Sequence, residues 1–177
     1  MDIRIEKTEK AIKNAFMELR SKKALEKISV KELCELACIN KSTFYAHYAD
    51  IYALSESLEI ETVNSIVNNI PKTIDYTHFN PADFSRELCI SFMAHISIIN
   101  ILFSGNDYGR LANRIEIAIK EIIFKKYPER KTDEEYNILL SYCIHGAYHA
   151  YASNQQVPPE RLISTIENIV KTLQPLY

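Results

Sequence analysis

The chain is 177 residues long, 47% hydrophobic and 25% charged, a mix that packs as a globular protein and excludes a disordered or low-complexity polypeptide. Its formal net charge of −2 hides an asymmetry: ten basic against seven acidic residues through residue 48, then eleven against sixteen. A mildly basic segment therefore precedes an acidic body, which keeps nucleic acid open as a partner without establishing it.

The three glycines, Gly105, Gly109 and Gly146, and the absence of Trp disfavour folds that need many tight turns or a phosphate-cradling loop. The opening MDIRIEKTEK is charged throughout, so no signal peptide is expected and the chain is expected in the cytoplasm. The longest apolar stretch, Cys89 to Phe103, is broken by Ser91, His95, Ser97 and Asn100. A bilayer span needs about 20 apolar residues, so this stretch reads as buried core and no membrane partner is expected. Cys34, Cys38, Cys89 and Cys143 have neither a CxxC nor a zinc spacing and read as small reduced residues.

In chain order, Ile12, Ala15, Phe16 and Leu19 recur at helical spacing with charged residues between them, which predicts a first helix over about residues 6 to 22. Ser29 and Glu32 form a capping-box pattern that starts a second, short helix with Val30, Leu33, Cys34 and Ala37 on one face, ending near Cys38. Asn40 is a good N-cap for a third helix over Lys41 to Tyr48, and Ile39 is placed to staple against Phe44. Two short helices joined by Cys38 to Asn40 make a helix-turn-helix, whose second helix enters the DNA major groove. Phe44 and Tyr48 share the inward face of that helix, leaving Lys41, Ser42, Thr43, Tyr45 and His47 outward. These side chains supply positive charge and hydrogen-bonding groups suited to phosphates and base edges. Asp50 then caps a fourth helix that runs through Leu54, Leu58, Val63 and Ile66 to Ile70, before Pro71.

The run Ser29-Val-Lys-Glu-Leu-Cys-Glu-Leu-Ala37, followed by Ile39-Asn-Lys-Ser-Thr-Phe-Tyr-Ala-His-Tyr48 and Asp50-Ile-Tyr-Ala-Leu54, resembles the DNA-binding domain of TetR (TetR/AcrR) transcriptional regulators. With Thr8 and Ala11-Ile12 the resemblance covers about residues 5 to 65, and Thr-Phe-Tyr-x-His-Tyr is its most specific part. The resemblance implies an all-α fold with a three-helix DNA-binding domain over residues 1–50, reaching about 65 with the fourth helix, and a helix-turn-helix over about 28–48. Residues 51–177 are then the helical regulatory and dimerisation domain. It further implies a homodimer on double-stranded DNA with a near-palindromic operator, and a repressor released by a small-molecule effector. Thr8, Ser29, Lys41, Ser42, Thr43, Tyr45 and His47 become the DNA-contacting set. The chain departs from the family at three places: Cys38 stands where the turn usually has Gly, Ser42 where Gly or Ala is common, and Ile51 where a phosphate-contacting Lys is frequent. Cys38 is thereby expected to take a backbone conformation that suits Gly.

Beyond residue 80, Asn80-Pro81 is a helix start, with Phe84, Leu88, Phe92, Ile96, Ile99 and Phe103 as its stripe, broken near His95 and closed by Gly105. Further helices are expected from about Asp107 to Tyr127, from a Thr132/Glu135 capping box to about Asn154, and from Pro159 through Leu173. Eight or nine helices result. Phe92, Met93, Ile96 and Phe103 are the candidate lining of a ligand pocket. Tyr142, Gly146, Tyr148, Ile166 and Ile169 on the last two helices are the candidate dimer contacts, a placement the family resemblance suggests.

Other chemistry finds little support. His145 and His149 have a zinc-compatible i, i+4 spacing, but no HExxH is present and Cys143 points elsewhere on the helix. Cys143 and His145, two apart on a helix, diverge and cannot form a nucleophile–base pair. No GxxxxGK[ST], GxGxxG or GxSxG occurs, so neither enzyme activity nor any metal or cofactor is expected. The alternative to a regulator is a helical protein-interaction module without DNA binding.

Overall fold

A computed structural model of the chain describes residues 3–71, 79–103 and 108–172. Every regular element among them is helical: α1 (Ile3–Arg20), α2 (Val30–Leu36), α3 (Lys41–His47), α4 (Ile51–Asn69), α5 (Pro81–Ala94), α6 (Ile96–Leu102), α7 (Tyr108–Lys126), α8 (Glu134–Ser153) and α9 (Pro159–Lys171). Short 3-10 turns occupy Leu25–Lys27 and Pro128–Thr132. The all-α class and the count of nine helices among the described residues follow the sequence expectation.

The chain divides into two compact units. The first comprises the described residues through Glu61 with Asn100–Leu102, and the second comprises the rest. In the first, α1 packs on α2 and α2 on α3 around a core of Ile12, Phe16, Leu33, Phe44 and Leu54, each fully buried. The α4 start is set by Asp50, whose Oδ1 accepts the Ala53 N–H at 2.7 Å. Ile51, which departs from the family's frequent Lys, is 5% exposed and belongs to this core.

In the second unit α5 packs against α8 and α9, and α7 against α8. Phe84, Leu88 and Phe92 of α5, Leu111 and Ile115 of α7, and Leu140, Ile144 and Tyr148 of α8 form its dry centre. Asn80 caps α5 through its side chain, with Pro81 in the first turn, as the residue pattern predicts. The predicted break near His95 is real: α5 and α6 meet there at 73°. His95 stabilises the corner, its Nδ1 lying 2.8 Å from the Ser91 carbonyl and its Nε2 2.8 Å from the Ser65 hydroxyl of α4. A backbone carbonyl can only accept, so Nδ1 donates to the Ser91 carbonyl, and Nε2 is left to the Ser65 hydroxyl, which can serve as either donor or acceptor. No single described helix is long and apolar enough to cross a membrane.

The start of α8 departs from expectation. Thr132 belongs to the 3-10 turn and donates to the Glu129 carbonyl, whereas Asp133 is the N-cap and accepts the Tyr136 N–H at 3.0 Å. Pro128 drives that extra turn, which moves the first free helical N–H groups one residue on. A carboxylate at the cap also suits the positive end of the helix dipole better than a hydroxyl. The predicted stops at Gly105 and Leu173 and the start at Asp107 lie outside the described residues.

Candidate nucleic-acid interface

The α2–turn–α3 segment is held by backbone and side-chain bonds that can be traced one by one. Ser29 Oγ accepts the Glu32 N–H at 3.2 Å, which fixes the start of α2. The Glu32 carboxylate turns away to pair with Lys23, so only half of the predicted capping box is made. At the other end the Ile39 N–H donates to the Cys34 carbonyl at 3.0 Å and the Cys38 N–H to the Glu35 carbonyl at 3.3 Å. This is the Schellman closure of a helix, and it requires the residue after the C-cap to be left-handed. That residue is Cys38, with φ of 54°.

Asn40 organises α3. Its Oδ1 accepts the Thr43 N–H, the Ser42 hydroxyl and the Thr43 hydroxyl, each at 2.7 Å. A hydroxyl has one proton and two lone pairs, so Ser42 and Thr43 face outward as acceptors until their hydroxyls rotate. Lys41 and Tyr45 are the exposed donors on this face. Lys41 is exposed and has no carboxylate within ion-pair distance among the described residues. Tyr45 is 56% exposed, its ring edge-on to buried Phe44 at 5.5 Å. His47 is half-buried beside Tyr48, their ring centroids 6.3 Å apart. Thr8, on α1, spends its hydroxyl proton on the Arg4 carbonyl at 2.9 Å. The exposed side chains of Lys7, Lys10 and Lys27 add further positive charge to this unit.

The end of α3 is anchored by ions rather than by apolar packing alone. Lys13 Nζ lies 2.7 Å from Glu9 and 2.6 Å from Glu61. Burial alone would lower the Lys13 pKa, but hydrogen bonds to Glu61 and Glu9 outweigh it and raise it. The Tyr48 phenol sits within this group and beside Ser57, and its pKa is raised, first by burial. Tyr48, expected inward from its i, i+4 relation to Phe44, is thus half-buried and polar at its tip. A sequence period marks the inward face but does not reveal which distant carboxylates meet there.

In the second unit, Phe92 and Phe103 are fully buried, and Phe92 packs against Tyr148 and Tyr151 with centroids 5.3 and 6.0 Å away. Met93 and Ile96 instead line a hollow of about 260 Å³ with Tyr151, Gln155 and Leu162. The four candidate pocket residues therefore divide between core and hollow. The five candidate dimer residues divide as well. Tyr148 and Ile166 are 1% and 5% exposed and fill the chain's own core. Tyr142 and Ile169 are each 54% exposed, Gly146 is exposed, and Ile138, 71% exposed, extends the α8 stripe.

His145 pairs with Glu116 of α7 at 2.8 Å. Glu116 also accepts from Lys120 and Ser141, each at 2.5 Å. Burial pushes the Glu116 carboxyl up, but these bonds win and bring it down to about 2. The cluster went unpredicted, although Glu116/Lys120 and Ser141/His145 are both i, i+4 pairs. Burial pushes the thiols of Cys89 and Cys143 up to about 12 and about 11, which keeps them protonated and poorly nucleophilic.

Neither family models nor curated protein sequences match the chain, whereas solved structures do. The dihydroxyacetone kinase operon activator DhaS superposes with a TM-score of 0.62 at 18% identity, covering 96% of this chain and 97% of that one. A protein from Shewanella sp. PV-4, named for the TetR family of transcription regulators, gives 0.63 at 11% identity over 94% and 95%. The TetR family repressor AlkX from Dietzia sp. strain DQ12-45-1b, implicated in biodegradation of n-alkanes, gives 0.51 at 12% over 93% and 94%. The chain has the fold of these regulators along almost its whole length.

Proposed function

We propose that this chain is a DNA-binding transcription regulator of the TetR type, a non-enzymatic homodimer that reads a near-palindromic operator through α3. The observation that carries this reading is the face of α3: Lys41 and Tyr45 stand exposed over buried Phe44, on a helix locked by Asn40 and by the left-handed turn at Cys38. Lys41 supplies charge for a phosphate or a guanine edge, and Tyr45 a phenol for a phosphate. Thr8, Ser29, Ser42, Thr43 and His47 complete the proposed contact set, the hydroxyls acting as acceptors or rotating on binding. A single such helix reads only a few base pairs, too few to select one site in a genome, and a two-fold dimer doubles them. The recognition helices of the dimer would then lie about 34 to 36 Å apart.

The exposed stripe of Ile138, Tyr142 and Gly146 on α8, with Ile169 on α9, is the proposed dimer face. Nothing within 4 Å would meet a Cβ at Gly146, so packing inside the chain gives no reason for glycine in mid-helix, where it costs about 1 kcal/mol relative to Ala. A second copy packed closely there would. The regulatory sign we assign is repression relieved by a small molecule, although the structural neighbours include one named an activator and one named a repressor.

Fluorescence anisotropy with a DNA fragment from upstream of the chain's own gene tests the reading. Affinity should fall steeply as salt rises, because phosphate-bound counterions are released on binding. Binding that is absent, or indifferent to salt, would support an interaction module instead. A reporter behind the same fragment should be silenced by the protein and restored by an effector.

A further inference from the structure

We infer that the hollow at the α5–α6 corner binds a small neutral aromatic molecule with one hydrogen-bonding group, of the phenol or aromatic-alcohol class. As an effector site this rests on the regulator reading; as a binding site it stands on its own geometry. Met93 and Ile96 flank the 73° corner, Tyr151 comes from the end of α8, and Pro159 and Leu162 from the start of α9. All belong to the second compact unit.

The Tyr151 hydroxyl sets this hollow apart from a packing gap. Tyr151 is only 7% exposed, and its ring lies against Phe92 with centroids 6.0 Å apart. Its hydroxyl has no hydrogen-bond partner among the described residues, yet it is not sealed from outside contact, and the open space beside the residue is the hollow. A buried polar group normally finds a partner in the protein. Here the partner has to come from what occupies the hollow, and walls of Met93, Ile96, Pro159 and Leu162 suit a largely apolar ligand better than water. Burial, and then the Cys89 thiol, raise the Tyr151 pKa, so the phenol is protonated at neutral pH and can donate as well as accept. Gln155, exposed at the rim, brings an amide with both capacities.

The hollow measures about 260 Å³, whereas a cavity of about 150 Å³ holds benzene, so one ring with a short substituent fits. No Asp, Glu, Lys, Arg or His lines it. An ion would lose its water there without meeting a counter-charge, and a plain hydrocarbon would leave the Tyr151 hydroxyl unpaired. A ring suits the walls better than a chain, because the Met93 thioether and the Tyr151 ring both favour aromatic contacts. Such a ligand touches Met93 before the corner and Ile96 after it, and thereby braces the angle between α5 and α6.

Isothermal titration of the full-length protein with 4-methylphenol tests the site, with toluene and 4-methylbenzoate as comparisons. The phenol should bind saturably. Toluene should bind about three- to tenfold more weakly for want of one hydrogen bond, and the benzoate, which carries a charge, at least about tenfold more weakly. Tyr151→Phe removes only the hydroxyl, so it should cut the affinity for the phenol about three- to tenfold and leave that for toluene unchanged. Ile96→Arg should abolish binding of both with unchanged circular dichroism. The inference is overturned if the phenol fails to bind, if it binds no better than toluene, or if Tyr151→Phe leaves the ratio of the two affinities as it was. It is equally overturned if the phenol fails to bind and Ile96→Arg instead dissociates an oligomer, since the hollow would then be an interface between copies. Anisotropy in parallel separates the two readings: salt-dependent DNA binding without phenol binding removes the site and leaves the regulator, and phenol binding without DNA binding does the reverse.

Discussion

Replacing Cys38 by Gly should make the protein more stable, a direction opposite to that of most substitutions. Cys38 holds φ at 54°, where a side chain's Cβ crowds the following carbonyl at roughly 1–2 kcal/mol. Glycine removes that strain but brings a more flexible unfolded chain, which returns about 0.4–1 kcal/mol. The thiol is exposed, so little packing is lost, and the net gain should be about 0.5–1 kcal/mol. For a chain of this size that raises Tm by roughly 1–4 °C. Urea unfolding followed by circular dichroism measures it, with Cys38→Ala as the control that deletes the thiol and keeps the Cβ. Cys38→Ala should be near neutral. If it stabilises as much as Cys38→Gly, the thiol and not the backbone is responsible; if Cys38→Gly destabilises, the strain argument fails.

Tyr45→Phe should leave Tm within a degree or so and weaken operator binding by about 1 kcal/mol or more, because only a surface hydroxyl is removed; unchanged affinity in the anisotropy assay would remove Tyr45 from the interface. Phe44→Ala should cost about 3–5 kcal/mol in urea unfolding, as expected for a fully buried aromatic side chain, and a cost below about 1 kcal/mol would contradict the packing. Glu116 has a folded-state pKa depressed from 4.5 to about 2, so its stabilisation is present above pH 4.5 and is lost as pH falls toward 2. The full shift is worth about 3 kcal/mol, which partial exposure reduces to roughly 1–2; acid unfolding of Glu116→Gln should be less steep across that window, and identical curves would refute the assignment. Gly146→Ala should raise the stability of the single chain by about 1 kcal/mol through helix propensity yet shift the monomer–dimer equilibrium toward monomer in sedimentation, whereas an unchanged equilibrium would move the dimer face elsewhere.

What was legible in the sequence was whatever is encoded within a few residues along the chain. The caps at Ser29, Asn40, Asp50 and Asn80 are local hydrogen bonds between a side chain and an N–H two or three residues on. The left-handed turn at Cys38 is equally local, and its mismatch with a non-glycine residue stood out because the turn geometry admits few alternatives. Local competition was harder to judge. At Thr132 and Asp133 two adjacent residues could each cap a helix, and the 3-10 turn begun by Pro128 decided between them.

Residues with a role across helices were legible only in part, since a helical period identifies a face without saying what it meets. Tyr142 and Tyr148 lie on one helix and are equally aromatic, yet one is 54% and the other 1% exposed, because α5 covers only one side of α8 and Phe92 packs on Tyr148. The same holds for Phe92 and Met93, one in the core and the other on a hollow. Glu116 and His145 are 29 residues apart, and only the packing of α7 on α8 makes them partners. Charge shows this dependence most sharply. The excess of three positive charges before residue 49 becomes a directional feature only because Glu9, Glu61 and Glu32 engage Lys13 and Lys23. Lys41, without such a partner among the described residues, remains on α3 with its charge uncompensated by a close ion pair, and that is the state in which an anion gains most from meeting it.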